Sequence, residues 1–575
     1  MSSRNDESLH SSESHAPAPD LLAISLGFAS MLVVSAWCGL VAGLLEVATI
    51  VVRKEAFDVN HLYGMSRHFV WLVPLSNLGF FVALGFLGSL AVLAWPRRGA
   101  RLAARGLCAL VPLPSLLIAF PRVYTLAWLA VTAGLAARLV PVLEANRRAF
   151  RRLVQISFPV AIAIGIVLCG YPFLKDHVKQ VSETTRPMPA PGSPNIVLIV
   201  LDTVAAEHLS LYGYPRPTST SLVELAGRGI RFDSARSASS WTLPSHATMF
   251  TGRWLHELSV GWLNPLDEAR PTLAGFLGGK GYATAGFVAN TTFCASDTGL
   301  SRGFTHYEDF IFPEFTALKS AVLVNRALAL FGPLLPIVDQ RPSLAWLRPY
   351  VQQVWQSFVF DRKGAATVNR EVLDWLSHRT QPERPFFAFL NYSDAHTPYE
   401  LPAGRIHRFG VDEPDERQRE LIRRWGDLDK VRLATKDMPF VVDAYDDCIA
   451  DLDEQIGRLV DRLRRRGMLE RTWLIIAADH GESFGEHPGV FCHGTSLYHT
   501  ELHVPLVIVP PGTEAAGKVV KEAVSLRDLD ATIVDLVGLE AGSPFPGTSL
   551  ARYWNELTSE GETTTRKHSR SEERV

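Results

Sequence analysis

The stretch NIVLIVLDT, residues 195–203, decides the fold of the second half of this chain. The run Asn195–Leu201, aliphatic from Ile196 onward, predicts a β-strand that is covered on both faces of a sheet. Asp202 and Thr203 follow where this strand ends, and ligands of open α/β sheets gather at the carboxyl ends of strands. Asp202 is therefore the first candidate functional residue, although an aspartate in this position also serves as a plain helix N-cap.

Strand-like and helix-like segments continue to alternate after this run. Apolar runs of strand length lie at Ala283–Val288, Phe386–Leu390, Trp473–Ala477 and Val504–Val509. Helical patterns lie at Ser219–Gly227, Ala366–Ser377 and Val442–Arg465. This alternation predicts an α/β domain with helices on both faces of one sheet.

A second group of polar residues follows the Trp473–Ala477 strand, in the order Asp479-His480-Gly481-Glu482. Neighbouring strands are expected to bring these carboxylates and the imidazole to one edge of the sheet. This arrangement predicts a divalent metal site made from Asp202, Asp479 and His480. By itself, His480 is better explained as a hydrogen-bonded core or turn histidine. The hypothesis therefore depends on the three residues lying together.

The segment Ser240–His246, SWTLPSH, leads into a short predicted helix over 247–252. We expect Thr242 to be the N-cap of this helix, with Pro244 in its first turn. The alternative is that Thr242 is a nucleophile, because a helix N-terminus favours an anionic group. A threonine hydroxyl needs a base or a metal ion to become reactive.

The chain from Asn195 to about Arg552 resembles the sulfatase branch of the alkaline phosphatase superfamily. The matching stretches are, in order, NIVLIVLDT, LSLYGY, SWTLPSHATMFTGR, GFTHYEDF, FLNYSDAHTPYELP, YDDCIADLDEQIGRLVDRL, AADHGESFGEH and CHGTSLYHTELHVPL. Their common order is more specific than any one of them. The resemblance implies an α/β sandwich with a metal-activated nucleophile.

The resemblance also implies roles for single positions. Asp202, Asp479 and His480 match the metal ligands of the family, and Thr242 matches the nucleophile, whose oxygen also binds the metal. His396 and His493 match positions that contact the substrate or protonate the leaving group. A second metal ion held by Asp394, His396 and His493 is a less favoured alternative, because other acidic ligands are not evident there.

Several positions depart from the family pattern. At the position that Thr242 occupies in this chain, sulfatases have a Cys or Ser that is oxidised to formylglycine. A threonine cannot be converted in this way. Thr203 replaces the usual second aspartate of the first motif. Threonine nucleophiles occur in relatives of the superfamily, and five membrane spans before an exported domain resemble the lipoteichoic acid synthases and phosphoethanolamine transferases.

The substrate-binding positions differ as well. His246 stands where the family has an arginine four residues after the nucleophile. Ala289 and Thr291 stand where sulfatases have a lysine and a histidine that bind sulfate, and Asn290 between them is a polar substitute. We expect His246 and Asn290 to bind the substrate.

The first part of the chain is predicted to be a membrane domain. Leu21–Leu45, Phe69–Trp95 and Leu153–Leu174 carry no charge, and each is long enough to cross a bilayer core of about 30 Å. Two shorter runs, Gly106–Pro121 and Val123–Ala137, form either two spans or one re-entrant hairpin. A lipid-guiding anchor explains this domain better than an ion pathway, because buried charges are rare in it.

Arginine clusters flank the two short runs. The cluster before them is Arg97, Arg98, Arg101 and Arg105, and the cluster after them is Arg138, Arg147, Arg148, Arg151 and Arg152. Two crossings place both clusters on one face, which the positive-inside rule assigns to the cytoplasm. The sequence therefore predicts five spans, a cytoplasmic N-terminus and a catalytic domain on the outer side of the cytoplasmic membrane.

These features divide the chain into five parts. We expect a polar leader over 1–20, a membrane domain over 21–174, a linker over 175–194, a catalytic domain over 195–555 and a disordered tail over 556–575. The linker is polar and contains Pro187, Pro189, Pro191 and Pro194, which disfavour regular structure.

Composition narrows the functions further. The 575 residues have a net charge of −2, so nothing indicates a nucleic-acid partner. The favoured function is a metal-dependent hydrolase or transferase of anionic phosphate (or sulfate) esters at the cell envelope, with a substrate that is free or linked to a lipid or glycan. The alternatives are a sulfatase without formylglycine and a non-catalytic membrane scaffold. Mixed nitrogen and oxygen ligands suit Mn, Zn or Mg, and they suit Ca less well.

Overall fold

The computed structural model describes residues 21–58, 61–63, 65–310, 320–329, 363–402, 404–410, 414–430, 437–512 and 517–553. The predicted leader (1–20) and tail (556–575) lie outside these residues. The chain forms two compact units. The helical unit comprises Met1–Arg53, Trp71–Val167 and Ala317–Gly332, and the sheet unit comprises Lys54–Val70, Leu168–Thr316 and Pro333–Val575.

Helices make up the first part of the chain. In chain order they are α1 (Leu21–Ala56), α2 (Phe69–Ala94), α3 (Pro96–Leu110), α4 (Leu113–Ala119), α5 (Thr125–Ala145) and α6 (Arg147–Thr185). Five helical stretches are long and apolar enough to cross a membrane: Phe28–Ala56, Phe69–Ala94, Arg98–Ala119, Thr125–Ala145 and Arg147–Thr185. This number confirms the predicted five spans and marks the chain as an integral membrane protein.

The two short apolar runs lie in two helical stretches, Arg98–Ala119 and Thr125–Ala145, that are each long and apolar enough to cross a membrane. Each helical stretch begins or ends beyond its uncharged run, because Arg101 and Arg105 lie inside α3 and Arg138 lies inside α5. Arginine is a good helix former, so a charged flank extends the helix beyond the apolar run.

A segment from the middle of the chain belongs to the helical unit. Helix α7 (Val322–Ala329) contributes Leu323 to a small apolar cluster with Cys38, Ala42, Phe81, Leu107, Leu113 and Leu117. The backbone N–H of Val322 donates to Glu46 Oε1 at 2.8 Å. The carboxylate of Glu46, which lies within α1, therefore caps this inserted helix.

The predicted linker is helical over much of its length. Helix α6 continues to Thr185, and the linker residues 175–186 contain no proline or glycine that would end it. Lys179 donates from Nζ to the carbonyl of Phe304 at 3.3 Å, within the sheet unit. The expected irregular segment is therefore confined to the proline-rich residues 186–194.

One mixed sheet of eight strands organises the sheet unit, with the order β10-β2-β9-β6-β1-β5-β3-β4. The strands are β1 (Asn195–Leu201), β2 (Ile230–Arg236), β3 (Ala283–Val288), β4 (His306–Glu308), β5 (Phe386–Tyr392), β6 (Thr472–Ala478), β9 (Leu506–Val509) and β10 (Lys518–Ser525). A separate antiparallel pair is formed by β7 (Ser483–Phe484) and β8 (Phe491–Cys492). Strand β9 runs antiparallel to both of its neighbours, and the other pairs are parallel.

The remaining helices belong to the sheet unit. They are α8 (Thr220–Ala226), α9 (Thr242–Thr251), α10 (Leu273–Gly279), α11 (Ala365–Ser377), α12 (Glu416–Arg423), α13 (Met438–Arg465), α14 (His499–Leu502) and α15 (Leu529–Leu536). Strands β1, β3 and β5 are buried along their whole length, which agrees with a sheet covered on both faces. The α/β prediction is confirmed.

Candidate active site

Two neighbouring parallel strands bring the predicted metal ligands together. Strands β1 and β6 pair in register, with Leu201 opposite Ala478. Asp202 and Asp479 therefore leave the sheet side by side, and His480 follows directly. Each of the three offers a ligand atom, these atoms all lie within 4.8 Å of one another, and all three residues are buried.

The carboxylate of Asp479 has one satisfied and one unsatisfied oxygen. Its Oδ1 accepts from the backbone N–H of Thr203 at 3.2 Å and of His480 at 2.9 Å. Its buried Oδ2 has no hydrogen-bond partner among the described residues. Burial and the nearby charge of Asp202 raise the pKa of Asp479 well above its ordinary value. A buried oxygen without a partner is costly, and a bound cation would remove that cost.

The imidazole of His480 is oriented as in a metal ligand. Its Nδ1 lies 3.0 Å from the carbonyl of Gly481 and donates to it, which leaves a lone pair on Nε2. Nε2 lies 3.5 Å from Asp479 Oδ2 and 4.0 Å from Asp202 Oδ1. Burial, followed by the charge of His493, holds the pKa of His480 well below its usual range, so the ring is neutral. This donor set fits a divalent cation.

Thr242 is the first residue of α9, and not the N-cap that we expect from the sequence. The N-cap is Trp241, whose backbone is extended and whose carbonyl accepts from Ser245 N at 3.1 Å. The Thr242 hydroxyl is therefore not used for capping. It lies 3.3 Å from His480 Nε2 and 3.5 Å from Asp202 Oδ1, beside the ligand atoms.

A row of imidazoles lines the site beyond His480. The ring of His493 lies 4.6 Å from that of His480 and 4.9 Å from that of His396. His493 Nδ1 lies 3.1 Å from Glu482 Oε2. Burial lowers the pKa of His493, but the charge and hydrogen bond of Glu482 outweigh this effect and raise it overall. His493 is therefore suited to donate a proton from Nε2, whereas His396 directs its Nδ1 to the Thr397 carbonyl at 2.8 Å.

Asn290 and His246, which we expect to bind the substrate, both lie against the candidate metal ligands. Asn290 Nδ2 donates to Asp202 Oδ2 at 2.8 Å, and its Oδ1 accepts from the backbone of Thr292 and Phe293. Both ends of this amide are used within the protein. These contacts make Asn290 a positioning group for Asp202.

His246 lies on the core side of α9. Its Nδ1 donates to the Thr242 carbonyl at 2.8 Å, and its ring edge packs against Phe250 and Phe389. These contacts hold helix α9 in place. The substrate contact itself stays a prediction for His246, as it does for Asn290.

Asp394 is engaged outside the metal cluster. Both of its carboxylate oxygens lie 3.0 Å from the backbone N of Ala365, at the start of α11. This contact is typical of a carboxylate at a helix N-terminus. It gives Asp394 a structural role and does not support the second metal ion considered with His396 and His493.

Three residues that position the site were not assigned from the sequence. Thr203 adopts a left-handed backbone conformation (φ 63°), which is strained for a β-branched residue. Tyr445 holds this turn, because its hydroxyl donates to Thr203 O at 2.6 Å and accepts from Ala205 N at 3.0 Å. Glu482 is the third, and its place in the sequence Asp479–Glu482 was the available signal.

Comparisons with known proteins cover the sheet unit. A family model described as Sulfatase matches residues 194–539. Among curated proteins, the uncharacterized sulfatase YidJ of Escherichia coli (strain K12) is 24% identical, over 62% of this chain and 70% of that protein. The arylsulfatase of Clostridium perfringens is also 24% identical, over 62% of this chain and 77% of that protein. Among solved structures, the phosphonate monoester hydrolase of Agrobacterium radiobacter matches with 19% identity and a TM-score of 0.42, over 62% of this chain and 79% of that chain.

Proposed function

The chain belongs to the Sulfatase family of ester hydrolases in the alkaline phosphatase superfamily, and on this premise we propose that it cleaves or transfers phosphate esters through Thr242. One observation carries the proposal: the Thr242 hydroxyl lies 3.3 Å from His480 Nε2, against a buried cluster with an unsatisfied carboxylate oxygen. A threonine is neither oxidised to formylglycine nor needed there as a cap. Both points support Thr242 as the nucleophile itself.

The residues present fit a divalent metal ion, on which the family depends. Asp202, Asp479 and His480 would hold it, together with the Thr242 oxygen. Two carboxylates and a neutral imidazole suit Mn²⁺, Zn²⁺ or Mg²⁺, and the imidazole makes Ca²⁺ a poorer fit. When bound, the ion would lower the pKa of the Thr242 hydroxyl and neutralise the negative charge of the ester.

The reaction divides into two displacements at phosphorus. In the first, the Thr242 hydroxyl, with its pKa lowered, gives up its proton to solvent, and Oγ1 forms a bond to phosphorus while the bond from phosphorus to the leaving oxygen breaks. His493 donates its Nε2 proton to that oxygen, and Glu482 stabilises the ring while it is charged. In the second displacement, neutral His493 removes a proton from water or from an acceptor alcohol, which attacks the phosphothreonine and releases Thr242.

Phosphorus is favoured over sulfur because of how the intermediate must be resolved. A sulfated formylglycine hydrate expels sulfate with the help of its second hydroxyl group, and a sulfated threonine has no such exit. A phosphothreonine is resolved by in-line attack at phosphorus. Ala289 and Thr291, in place of the sulfate-binding lysine and histidine, point the same way.

Two other functions compete with this one. A sulfatase that works without formylglycine is supported by the family and by relatives that are named sulfatases. A non-catalytic scaffold would explain the membrane helices. It would not explain why Asp202, Thr242, Asp479 and His480 converge, since an unsatisfied buried carboxylate destabilises a fold that does not bind a cation.

We propose that the sheet unit lies on the outer side of the cytoplasmic membrane. The support is the number of spans, five, and the two arginine clusters that this number assigns to the cytoplasmic face. The substrate is then an anionic ester of the cell envelope, free or linked to a lipid or glycan. A topology reporter fused after Val575 tests this orientation, and a reporter that behaves as cytoplasmic in intact cells contradicts it.

The chemistry is tested with purified full-length protein and three matched substrates: an aryl phosphate monoester, an aryl phosphate diester and an aryl sulfate. Phosphate-ester turnover and a phosphoryl adduct on Thr242, mapped by mass spectrometry after trapping, are expected. Efficient sulfate hydrolysis with little phosphate-ester turnover would establish the alternative sulfatase activity. An adduct on any other residue would rule out the nucleophile.

A further inference from the structure

A second cluster of potential metal ligands lies in the sheet unit, outside the candidate active site. Glu207, His499 and His503 each offer a ligand atom, and these atoms all lie within 4.8 Å of one another. Glu207 lies in the turn after β1, His499 begins α14, and His503 follows the end of that helix. We propose that these three residues bind a divalent transition-metal ion of the Zn²⁺ type. This proposal does not rest on the proposed function.

His503 is already arranged as a metal ligand. Its Nε2 donates to the carbonyl of Asp233 at 2.9 Å, which leaves a lone pair on Nδ1. Nδ1 is buried and has no hydrogen-bond partner among the described residues, while the whole residue is only 9% exposed. Metal-binding histidines commonly donate their second nitrogen to a backbone carbonyl in this way. The unpartnered nitrogen is an independent indication of a ligand.

Glu207 and His499 complete the ligand set on the solvent side. The ring of His499 lies 4.4 Å from that of His503, and its Nδ1 is hydrogen-bonded to Glu207 Oε1. The side chain of His499 is 50% exposed and that of Glu207 is 42% exposed, so an ion can enter and keep water in its open positions. When the ion binds to His499 Nδ1, the neutral ring changes tautomer and carries its proton on Nε2 instead. Two imidazoles and one carboxylate select Zn²⁺ over Mg²⁺ or Ca²⁺.

Arg236 opposes the ion. Its guanidinium lies 2.9 Å from His499 Nε2 and donates to the lone pair of that nitrogen. A metal ion on Nδ1 puts the ring proton on Nε2, so Arg236 must then turn away. Its positive charge also repels the ion. We therefore expect a site of moderate affinity rather than a permanently occupied one.

The ion would join two segments that support the candidate active site. Ala206 N donates to the His503 carbonyl at 3.1 Å, and Gly481 N donates to the Glu501 carbonyl at 2.8 Å. The segment 499–503 therefore contacts both the turn after Asp202 and the loop that carries His480. An ion held by Glu207 and the two histidines would act as a structural clip across these connections.

The test counts ions. Full-length protein in detergent is stripped of metal, titrated with Zn²⁺ by calorimetry and analysed for bound zinc by elemental analysis. Wild type is expected to bind two ions per chain, and His499→Ala and Glu207→Gln one ion each. His378→Ala, which removes an exposed histidine at the end of α11, serves as the matched control and is expected to keep both ions.

The active-site double variant Asp479→Asn/His480→Ala separates this proposal from the proposed function. It is expected to keep one zinc ion, and adding His499→Ala is expected to remove it. A single ion in both wild type and His499→Ala overturns the second site, whatever the activity of the protein. If the double variant fails to fold, the difference between wild type and His499→Ala still decides the question.

Discussion

The two metal-ligand clusters of the sheet unit use similar side chains in opposite surroundings. Asp202, Asp479 and His480 are 0% exposed, whereas the side chains of Glu207 and His499 are about half exposed. The buried cluster has two carboxylates, one of them with an unsatisfied oxygen, and a threonine hydroxyl beside it. The exposed cluster has two imidazoles, one carboxylate and a competing guanidinium. A hydroxyl group beside the ligand atoms and the exclusion of water distinguish the first cluster from the second, and these two features are the reason for proposing the reaction centre there.

The nucleophile gives the largest expected difference between the clusters. Thr242→Ala is expected to lower kcat/KM for an aryl phosphate by at least about 10⁴-fold, because nothing replaces the attacking oxygen. Thr242→Ser keeps a hydroxyl group at the start of α9 and is expected to retain most of the activity. Steady-state kinetics with metal-loaded protein measure both. Equal activity of the alanine and serine variants would contradict covalent catalysis at this residue.

The unsatisfied carboxylate oxygen gives the next largest effect. Asp479→Asn is expected to weaken metal binding at the buried cluster and lower activity by more than about 100-fold, since it removes a direct ligand charge. Metal content and activity are measured on the same samples. The matched control is Asp461→Asn, which removes a surface carboxylate that pairs with Arg464. Full activity of Asp479→Asn after exhaustive chelation would end the metal hypothesis.

The pH dependence of kcat/KM tests the interaction between His493 and Glu482. Because Glu482 raises the pKa of His493, Glu482→Gln lowers this pKa, and the alkaline limb of kcat/KM moves to lower pH. A shift of about one pH unit corresponds to about a tenfold loss of rate on that limb. Glu486→Gln is the control, because its carboxylate accepts from Phe484 N instead. An unchanged alkaline limb would exclude His493 as the proton donor.

The sequence predicted the buried cluster better than it predicted its surroundings. Strands β1 and β3 have the predicted bounds, because unbroken apolar runs are easy to recognise. Strands β2 (IRFDSAR) and β10 (KVVKEAVS) were missed, since polar residues interrupt both and β10 lies at the sheet edge. The ligand set followed from strand ends, whereas the N-cap assignment of Thr242 was wrong by one residue, within the usual uncertainty of helix boundaries.

The exposed cluster could not be found from the sequence. Glu207 and His499 are 292 positions apart and come from a short turn and a short helix, neither of which has an apolar period. Tertiary structure alone brings them together. Thr203 and Tyr445 were missed for the same reason, because a left-handed threonine held by a distant tyrosine leaves no local pattern.

A buried carboxylate outside both clusters tests whether burial by itself requires a metal ion, or whether a proton can neutralise the charge instead. Asp530 Oδ2 is buried without a partner among the described residues, and burial raises the pKa of this carboxyl well above its ordinary value. Its protonated form is favoured by folding, so the stability it contributes at low pH is lost as pH rises through the raised pKa. Asp530→Asn is expected to remove this loss and to be more stable at neutral pH by about 1.4 kcal/mol for each unit of pKa shift.

Thermal unfolding between pH 5 and pH 8 is the measurement for Asp530. Asp535→Asn, one turn further along α15 and partly exposed, is the control and should follow wild type. Parallel pH dependence of wild type and Asp530→Asn would show that this carboxyl does not take up a proton. The distinction between a carboxylate neutralised by a proton and one neutralised by a metal ion would then fail.

The smallest expected effect concerns the guanidinium that competes at the exposed cluster. Arg236→Gln removes the positive charge beside His499 Nε2 and is expected to raise Zn²⁺ affinity at that cluster by about two- to fivefold, the range of a solvent-screened charge interaction. The affinity is measured by calorimetry in the Asp479→Asn/His480→Ala variant, so that only the exposed cluster is titrated. Arg228→Gln removes a surface charge that pairs with Glu224 and should leave the affinity unchanged. If Arg236→Gln instead lowers the Zn²⁺ affinity, the guanidinium orients His499 for binding. The contrast between a competing cation at the exposed cluster and a cooperating hydroxyl at the buried cluster would then be lost.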